Sequence, residues 1–303
     1  MTAKRLQIIS LMLAIALLMG GCGRSAAPPP PSYPSINVYV QEPLSLASLP
    51  LAVAQKLGLY ANQHIRVKWV SHPQNASLWV ETAGRHYPIL GLVAQKPDAV
   101  LVAPRSDPHF RLRSLNHMPV AYSSGAMPWL PIISSIFKVH RVVPSSLDTI
   151  PIKQMAAVWR DYELPWAVVT LSEWQTLQKE DPKTSVLAWM GGATGPIPAI
   201  VITGKSPLAL PFVSAVNLAL WYINTSSARA VAPLAQNANI PITREIELIR
   251  LSQKYQLWPA TVVVSRSVYQ RQVSLLGVQS SWPSYDNAVN RTVSNEAINR
   301  LPG

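Results

Sequence analysis

Cysteine is all but missing from this sequence. Of 303 residues only Cys22 carries a thiol, so no disulfide can staple the chain to itself and no thiol nucleophile exists beyond that position. Carboxylates are scarce as well: 14 Asp and Glu stand against 26 Lys and Arg, and charged residues make up 13% of the chain, about half the usual ~25%. No general acid/base pair can be picked out from so few acids. The six histidines, His64, His72, His86, His109, His117 and His140, never recur at the His-x-x-x-His spacing of a zinc site. No Gly-x-Ser-x-Gly elbow occurs. The stretch "AIVITGKS", Ala199 to Ser206, fails as a phosphate loop, because Ala199 stands where the first glycine belongs and Ile200 to Ile202 form a strand-like run. Neither catalysis nor a cofactor or metal is expected. Without disulfides, stability must come from apolar burial, which a hydrophobic content of 49% can supply.

What is present begins with an export signature. "MTAKRLQIISLMLAIALLMGGC" has bases at Lys4 and Arg5, an apolar run from Leu11 to Met19, then Gly20-Gly21-Cys22. The run is shorter than the ~20 residues of a spanning helix, and small residues just before a lone cysteine resemble a bacterial lipoprotein signal. That resemblance implies removal of residues 1–21 and lipidation of Cys22, with Met19 departing from the more usual leucine. The following "GRSAAPPPPSYPS" reads as a stiff, extended spacer over residues 22–35. A folded body of about 268 residues starts at Ile36, enough for two lobes.

The formal charge is +12, or +10 without the two bases of the first 21 residues. Such a balance suits nucleic acid or an anionic membrane, yet the bases are scattered, the longest cluster being "RLRSLNH" from Arg111 to His117. No nucleic-acid-binding signature accompanies them, and no nucleic-acid partner is expected. Scarce carboxylates also fit an acidic exterior, where ion pairs built on them would be neutralised; simple drift of the surface fits equally. Solubility and folding confined to neutral pH would remove the first explanation.

From Ile36 the pattern runs strand "INVYV", helix "LPLAVAQKLG", strand "IRVKWV", a polar stretch, then strand "DAVLVAP", the order of a parallel α/β lobe. "SVLAWMGGATGPIPAIVITG" reads as two strands around a glycine turn. The last third turns helical: Phe212, Val213, Val216, Leu220 and Ile223 recur near helical period, and "REIELIRLSQKYQL" is amphipathic.

A first strand running through a proline-framed junction into "PLAVAQKLGLY" and then "HIRVKWV", with Pro50, Gly58, Tyr60 and the strand Ile65 to Val70 in that order, resembles the substrate-binding proteins of ABC importers for nitrate, sulfonates, taurine and thiamine-type pyrimidines. "QKPDAVLVAP", "PAIVITGKSPLALPFVSAVNLALWYINT" and "LIRLSQKYQLWPATVVVSRSVYQRQVSLL" extend the likeness over most of Ile36 to Leu276; the lead "AQKPD" departs from the family's small-x-Gly-x-x-Asp. The resemblance implies a two-lobed, type II periplasmic-binding-protein-like α/β fold, each lobe a mostly parallel sheet flanked by helices with a ligand cleft between them. Lobe 1 is expected over 36–122, lobe 2 over 123–210, and a helical segment over 211–303 returning to lobe 1. It also implies a lipid-anchored, monomeric, extracytoplasmic receptor for a small molecule that docks on a permease and ATPase.

The helix at Pro50 suits the broken junction: Ser48 can cap, Pro50 tolerates the first turn, and Gly58 suits a left-handed stop. Such a start aims free N–H groups beyond the strand ends, where open sheets bind ligands. Gln41, Glu42, Ser45 and Ser48 are the candidates there, each serine either meeting a ligand or capping its own helix. Pro104 and Arg105 of "VAPRS" are placed on the same cleft, Arg105 holding an anion or simply solvated. In "AYSSGAMPW", Ser123 and Ser124 offer hydroxyls, Gly125 allows backbone approach, and Trp129 either stacks on a flat ligand or joins the core. Gly191 and Gly192 form a closing wall or a plain hairpin turn. The polar-edged aromatics, ten Trp and ten Tyr against three Phe, tilt the ligand toward a flat heteroaromatic such as a pyrimidine over a sulfonate or nitrate. The competing possibilities are an exported structural or assembly lipoprotein that keeps the fold without a ligand, and a pyrimidine-synthase-like enzyme.

Overall fold

The computed structural model describes residues 32–41, 46–82, 86, 88–160, 165–192, 194–235, 240–277 and 282–300. In chain order these form β1 Ser35–Val40, α1 Leu49–Lys56, α2 Leu59–Asn62, β2 Arg66–Val70, β3 Leu78–Thr82, β4 Ile89–Ala94, β5 Ala99–Ala103 and β6 Pro119–Ser123. There follow α3 Leu130–Val139, β7 Ser146–Ile150, α4 Ile152–Arg160, β8 Ala167–Thr170, α5 Leu171–Glu180, β9 Ser185–Trp189 and β10 Ile200–Gly204. Six helices end the chain: α6 Ala209–Thr225, α7 Ala228–Ala235, α8 Ile242–Lys254, α9 Arg266–Leu276, α10 Tyr285–Ala288 and α11 Arg291–Ile298.

The strands divide into two five-stranded sheets, β2-β1-β3-β10-β4 and β7-β6-β8-β5-β9. In the first, β1 runs parallel to β2 and β3, while β10 is antiparallel to both its neighbours. In the second, β6 runs parallel to β7 and β8, and β5 is antiparallel to β8 and β9. The two sheets therefore share one pattern: four strands in one direction and one reversed strand in the fourth position. This is the two-lobed periplasmic-binding-protein-like α/β fold.

Strand composition follows position. β4, β5, β8 and β10 are buried at every residue and read as continuous apolar runs, as strands covered on both faces must. The edge strands β2 "RVKWV" and β7 "SLDTI" expose most of their residues, and Lys68 and Asp148 blunt edges that would otherwise pair with another chain. The helical period expected for α6 holds: Phe212, Val213, Val216, Leu220 and Ile223 are all buried. Asn217, buried on the same helix, accepts a hydrogen bond from Val262 N (3.1 Å) and donates one to Ala297 O (3.4 Å), pinning the last segments onto the first lobe. Gly58 adopts the left-handed φ of 67° expected of a helix stop. Among the described residues no helix is long and apolar enough to cross a membrane.

Two expectations are corrected by this topology. The change of sheet falls in residues 95–98, not at 122, because β5 and β6 both belong to the second sheet. β9 and β10 are not a hairpin: they lie in different sheets, and the glycine-rich stretch between them is a crossover. The C-terminal helices also reach beyond the first lobe, since Gln175 Nε2 of α5 donates to Arg244 O of α8 (2.9 Å) and α9 packs against α3.

Glu245, in the first turn of α8, is 5% exposed, and burial raises the pKa of its carboxyl above the ordinary 4.5. A raised carboxyl pKa favours the folded state fully below the unfolded value and loses that contribution as pH climbs through the folded value. Glu245→Gln is expected to increase stability at neutral pH relative to the parent and to leave stability near pH 4 little changed; urea denaturation at the two pH values measures the difference.

Candidate ligand cleft

Strand direction places the cleft. Ile200, the first residue of β10, lies beside Thr82 and Ala94, the last residues of β3 and β4. Ala99, the first residue of β5, lies beside Thr170, the last of β8, and Val100 lies beside Trp189, the last of β9. Both crossovers, residues 95–98 and 190–199, thus join the carboxyl edge of one sheet to the carboxyl edge of the other. They also bond to each other, through Ile197 N to Gln95 O (2.9 Å) and Ala199 N to Ala94 O (3.0 Å). The carboxyl edges of both sheets face one another across a paired floor, the position where open α/β sheets take ligands.

On the first lobe the edge carries Gln41, Ser48 and Thr82. Gln41 Oε1 accepts from Thr82 N (3.1 Å) and Thr82 Oγ1 (3.3 Å), tying the ends of β1 and β3. Ser48 is buried ahead of α1, but its hydroxyl does not make the expected capping bond. A small cavity between these residues, Val80 and Ile200 has room for about one water, roughly 10 Å³. Glu81 borders it, 4% exposed. Its carboxylate accepts from Thr203 Oγ1 (2.9 Å) and meets His86 Nδ1 (2.9 Å), whose ring stacks on Trp79 at 5.0 Å.

The second lobe presents a carboxylate already surrounded by donors. β6 ends at Ser123 and β8 at Thr170, which caps α5 with Glu173 in a reciprocal capping box. Glu173 Oε2 accepts from Ser123 Oγ (2.6 Å), Thr170 N (2.9 Å) and Thr170 Oγ1 (2.9 Å), and Oε1 accepts from Gly125 N (3.1 Å). A side chain at Gly125 would begin 2.7 Å from Oε1, so it would have to push the Glu173 carboxylate aside.

The floor is equally tight. Asp98, fully buried, accepts from Trp129 Nε1 (2.8 Å) through its side chain and from Leu171 N (3.0 Å) through its carbonyl. Gly191 sits where a Cβ would come within 2.8 Å of Lys96 Cβ and 3.2 Å of Pro97 O, so the two crossovers approach as closely as backbone allows. Trp189 stacks on Tyr255 at 4.3 Å, and Lys96 Nζ donates to Tyr255 O (2.6 Å). Burial lowers the pKa of Lys96.

Among the sequence candidates, Gln41 and Ser48 lie together on the first lobe's edge, Ser123 with Gly125 on the second, and Gly191 in the floor with Gly192 exposed beside it. Ser124 is exposed next to Ser123. Glu42, Ser45 and Cys22 lie outside the described residues. Pro104 and Arg105 are misplaced by the sequence: β5 runs against its neighbours, so the residues after Ala103 emerge beyond Ala167, at the opposite end of the sheet from the cleft. Trp129 is core, held by Asp98, with no ring face to offer. Sequence reasoning missed Thr82, Glu81 and His86, which no pattern marks. It also missed Thr170 and Glu173, although "TLSE" at 170–173 is a legible capping box. Among the described residues no three His, Cys, Asp or Glu gather into a metal site.

Removing the Glu173 side chain would undo one half of the capping box, leaving the Thr170 cap itself, and would leave four donors to water. Glu173→Ala is expected to cost about 1–2 kcal/mol, lowering the melting temperature by about 2–6 °C. Gly125→Ala, which displaces the same carboxylate, should fall in the same direction; a melt unchanged in both would show that the cluster holds nothing.

No family model and no curated protein matches the sequence. Solved structures do. The alkanesulfonate-binding protein SsuA of Xanthomonas axonopodis pv. citri, bound to MOPS, superposes with a TM-score of 0.58 at 14% identity over 88% of this chain and 99% of its own. The periplasmic nitrate-binding protein NrtA of Synechocystis gives 0.58 at 11% over 89% and 90%. The desulfurization enzyme DSZB gives 0.59 at 13% over 88% and 99%. At such identities the likeness is one of fold, shared by binding proteins and an enzyme.

Proposed function

We propose that this chain is the extracytoplasmic solute-binding lipoprotein of an ABC importer, anchored through Cys22, which captures a small nutrient by closing its lobes and delivers it to a permease driven by an ATPase. The observation that carries the proposal is the facing of two equivalent carboxyl edges across a double crossover. That arrangement gives two rigid halves with one hinge and one shared groove, the mechanical requirement for a receptor that shuts over its ligand. Closure is driven by contacts that exist only when both edges touch the solute. The structural neighbours described as sulfonate- and nitrate-binding support the same role. The body acts as a monomeric receptor, residues 22–35 serving as its spacer from the membrane.

The enzyme of like fold is the reason to weigh catalysis. Residues 23–303 contain no cysteine, so thiol chemistry is closed to the body, and beside the His–carboxylate pair at the cleft, His86 with Glu81, stands the hydroxyl of Thr203, fully buried and donating to the carboxylate rather than to the imidazole. Binding without turnover is the better fit.

For the ligand, the second lobe's hydroxyls and backbone N–H groups are already given to Glu173. An oxyanion would compete with that carboxylate, whereas a pyrimidine-type ring with an exocyclic amino group would bond to it. A ligand-free structural lipoprotein is the second reading, favoured by the small size of the cavity at Gln41 and Ser48.

Thermal shift and calorimetry with an aminopyrimidine, thiamine, taurine, an alkanesulfonate and nitrate separate these readings. A bound solute at 100 times its dissociation constant adds about 2.7 kcal/mol, a rise of roughly 5–10 °C. The aminopyrimidine is expected to give that rise, and Glu173→Gln to weaken its binding about tenfold, the loss of one charge-assisted hydrogen bond. No shift with any solute at millimolar concentration would favour the ligand-free reading.

A further inference from the structure

We propose that the end of the second lobe opposite the cleft is a membrane-docking face, which rests its apolar tips among the headgroups of an anionic lipid bilayer. β6 and β7 start at this end, α3 finishes there, and the loops 104–118 and 140–145 cover it.

Among the described residues eight large apolar side chains stand out in water, and four of them gather here: Val139 at 65% exposed, Val143 at 62%, Leu147 at 43% and Met118 at 37%. They are held, not floppy. His117 N donates to Val143 O (2.8 Å), Ser145 N to Met118 O (3.0 Å) and Val143 N to Asn116 Oδ1 (3.0 Å), while Val142 between the two valines is buried and donates to Phe137 O (2.8 Å). Both turns depend on a left-handed residue that is not glycine, His117 at φ 61° and Arg141 at φ 56°, a conformation uncommon for side chains of that size.

The charge nearest the tips is predominantly positive, with Asp107 and Asp148 exposed at its two flanks. Arg111, Arg113, Lys138 and Arg141 are all exposed. From residue 108 to residue 147 the sequence contains no Asp or Glu, and none of the four cations forms an ion pair among the described residues. Cations ringing apolar tips complement a surface of anionic headgroups over hydrocarbon. Area decides between a bilayer and a protein partner. A stable protein interface buries ~800 Å² on each side, more than four aliphatic side chains present, whereas shallow lipid insertion needs only a few apolar groups assisted by charge.

The test uses residues 32–303, which contain both sheets and the whole apolar core in one compact unit and leave out the N-terminal apolar segment that would bind lipid by itself. Flotation with vesicles of equal parts phosphatidylcholine and phosphatidylglycerol is expected to carry the protein upward; vesicles of phosphatidylcholine alone should not. K138A/R141A should weaken binding about fivefold per charge, and V139S/V143S should weaken it with the charge intact. K56A/R229A, which removes two exposed cations from the first lobe, should leave it unchanged. Circular dichroism melts confirm that each variant is folded. The proposal is overturned by three outcomes: no flotation with either vesicle, insensitivity to V139S/V143S, or equal weakening by K56A/R229A, which would mark the general attraction of a basic protein.

Discussion

The reversed strand in each sheet is the constraint from which the rest follows. β10 arrives from the second lobe to complete the first sheet, and β5 leaves the first lobe to complete the second. Each is covered by neighbours on both sides and buried at every residue. Because each exchanged strand enters at the carboxyl edge of its new sheet, the two edges are drawn face to face, and the crossovers become the floor between them. Neither half can complete its sheet alone, which couples the lobes while leaving only two short segments between them.

Those segments are more closely packed than a freely flexing hinge. Gly191 lets one crossover lie against Lys96 and Pro97 of the other. Gln95 bonds to the carbonyls of Gln256 and Trp258, while Trp189 stacks on Tyr255, so the end of α8 leans on the crossovers from the side. The C-terminal helices therefore join the crossovers as well as the core of the first lobe.

Glu173 gives the cleft its chemical character. A helix start beyond a strand end collects backbone donors and partial positive charge, a setting suited to anions, and here the chain's own carboxylate occupies it. The first lobe brings a second carboxylate, Glu81, shared with Thr203 and His86. In a chain so poor in acids, two of them sit at the groove, which turns its polarity away from that suggested by folds whose named ligands are sulfonate and nitrate.

Much of this was legible in advance, and the exceptions share a cause. Apolar period located α6, Gly58 marked a helix stop, and the alternation of strands and helices identified the α/β class, because each depends on neighbours a few residues away. Arg105 was assigned to the cleft because nothing in "DAVLVAP" reveals which way its strand runs; a fully apolar strand satisfies either direction, and only pairing with β8 and β9 decides it. For Trp129 the sequence leaves ligand platform and core both open, and Asp98, 31 residues earlier, decides for the core by holding its indole. What the sequence alone determined was the set of elements and their turns, since local sterics and periodicity are written in adjacent residues. Strand direction, the facing of the two edges and the partner of each buried polar group were decided by tertiary structure, because they arise from contacts between segments far apart in the chain.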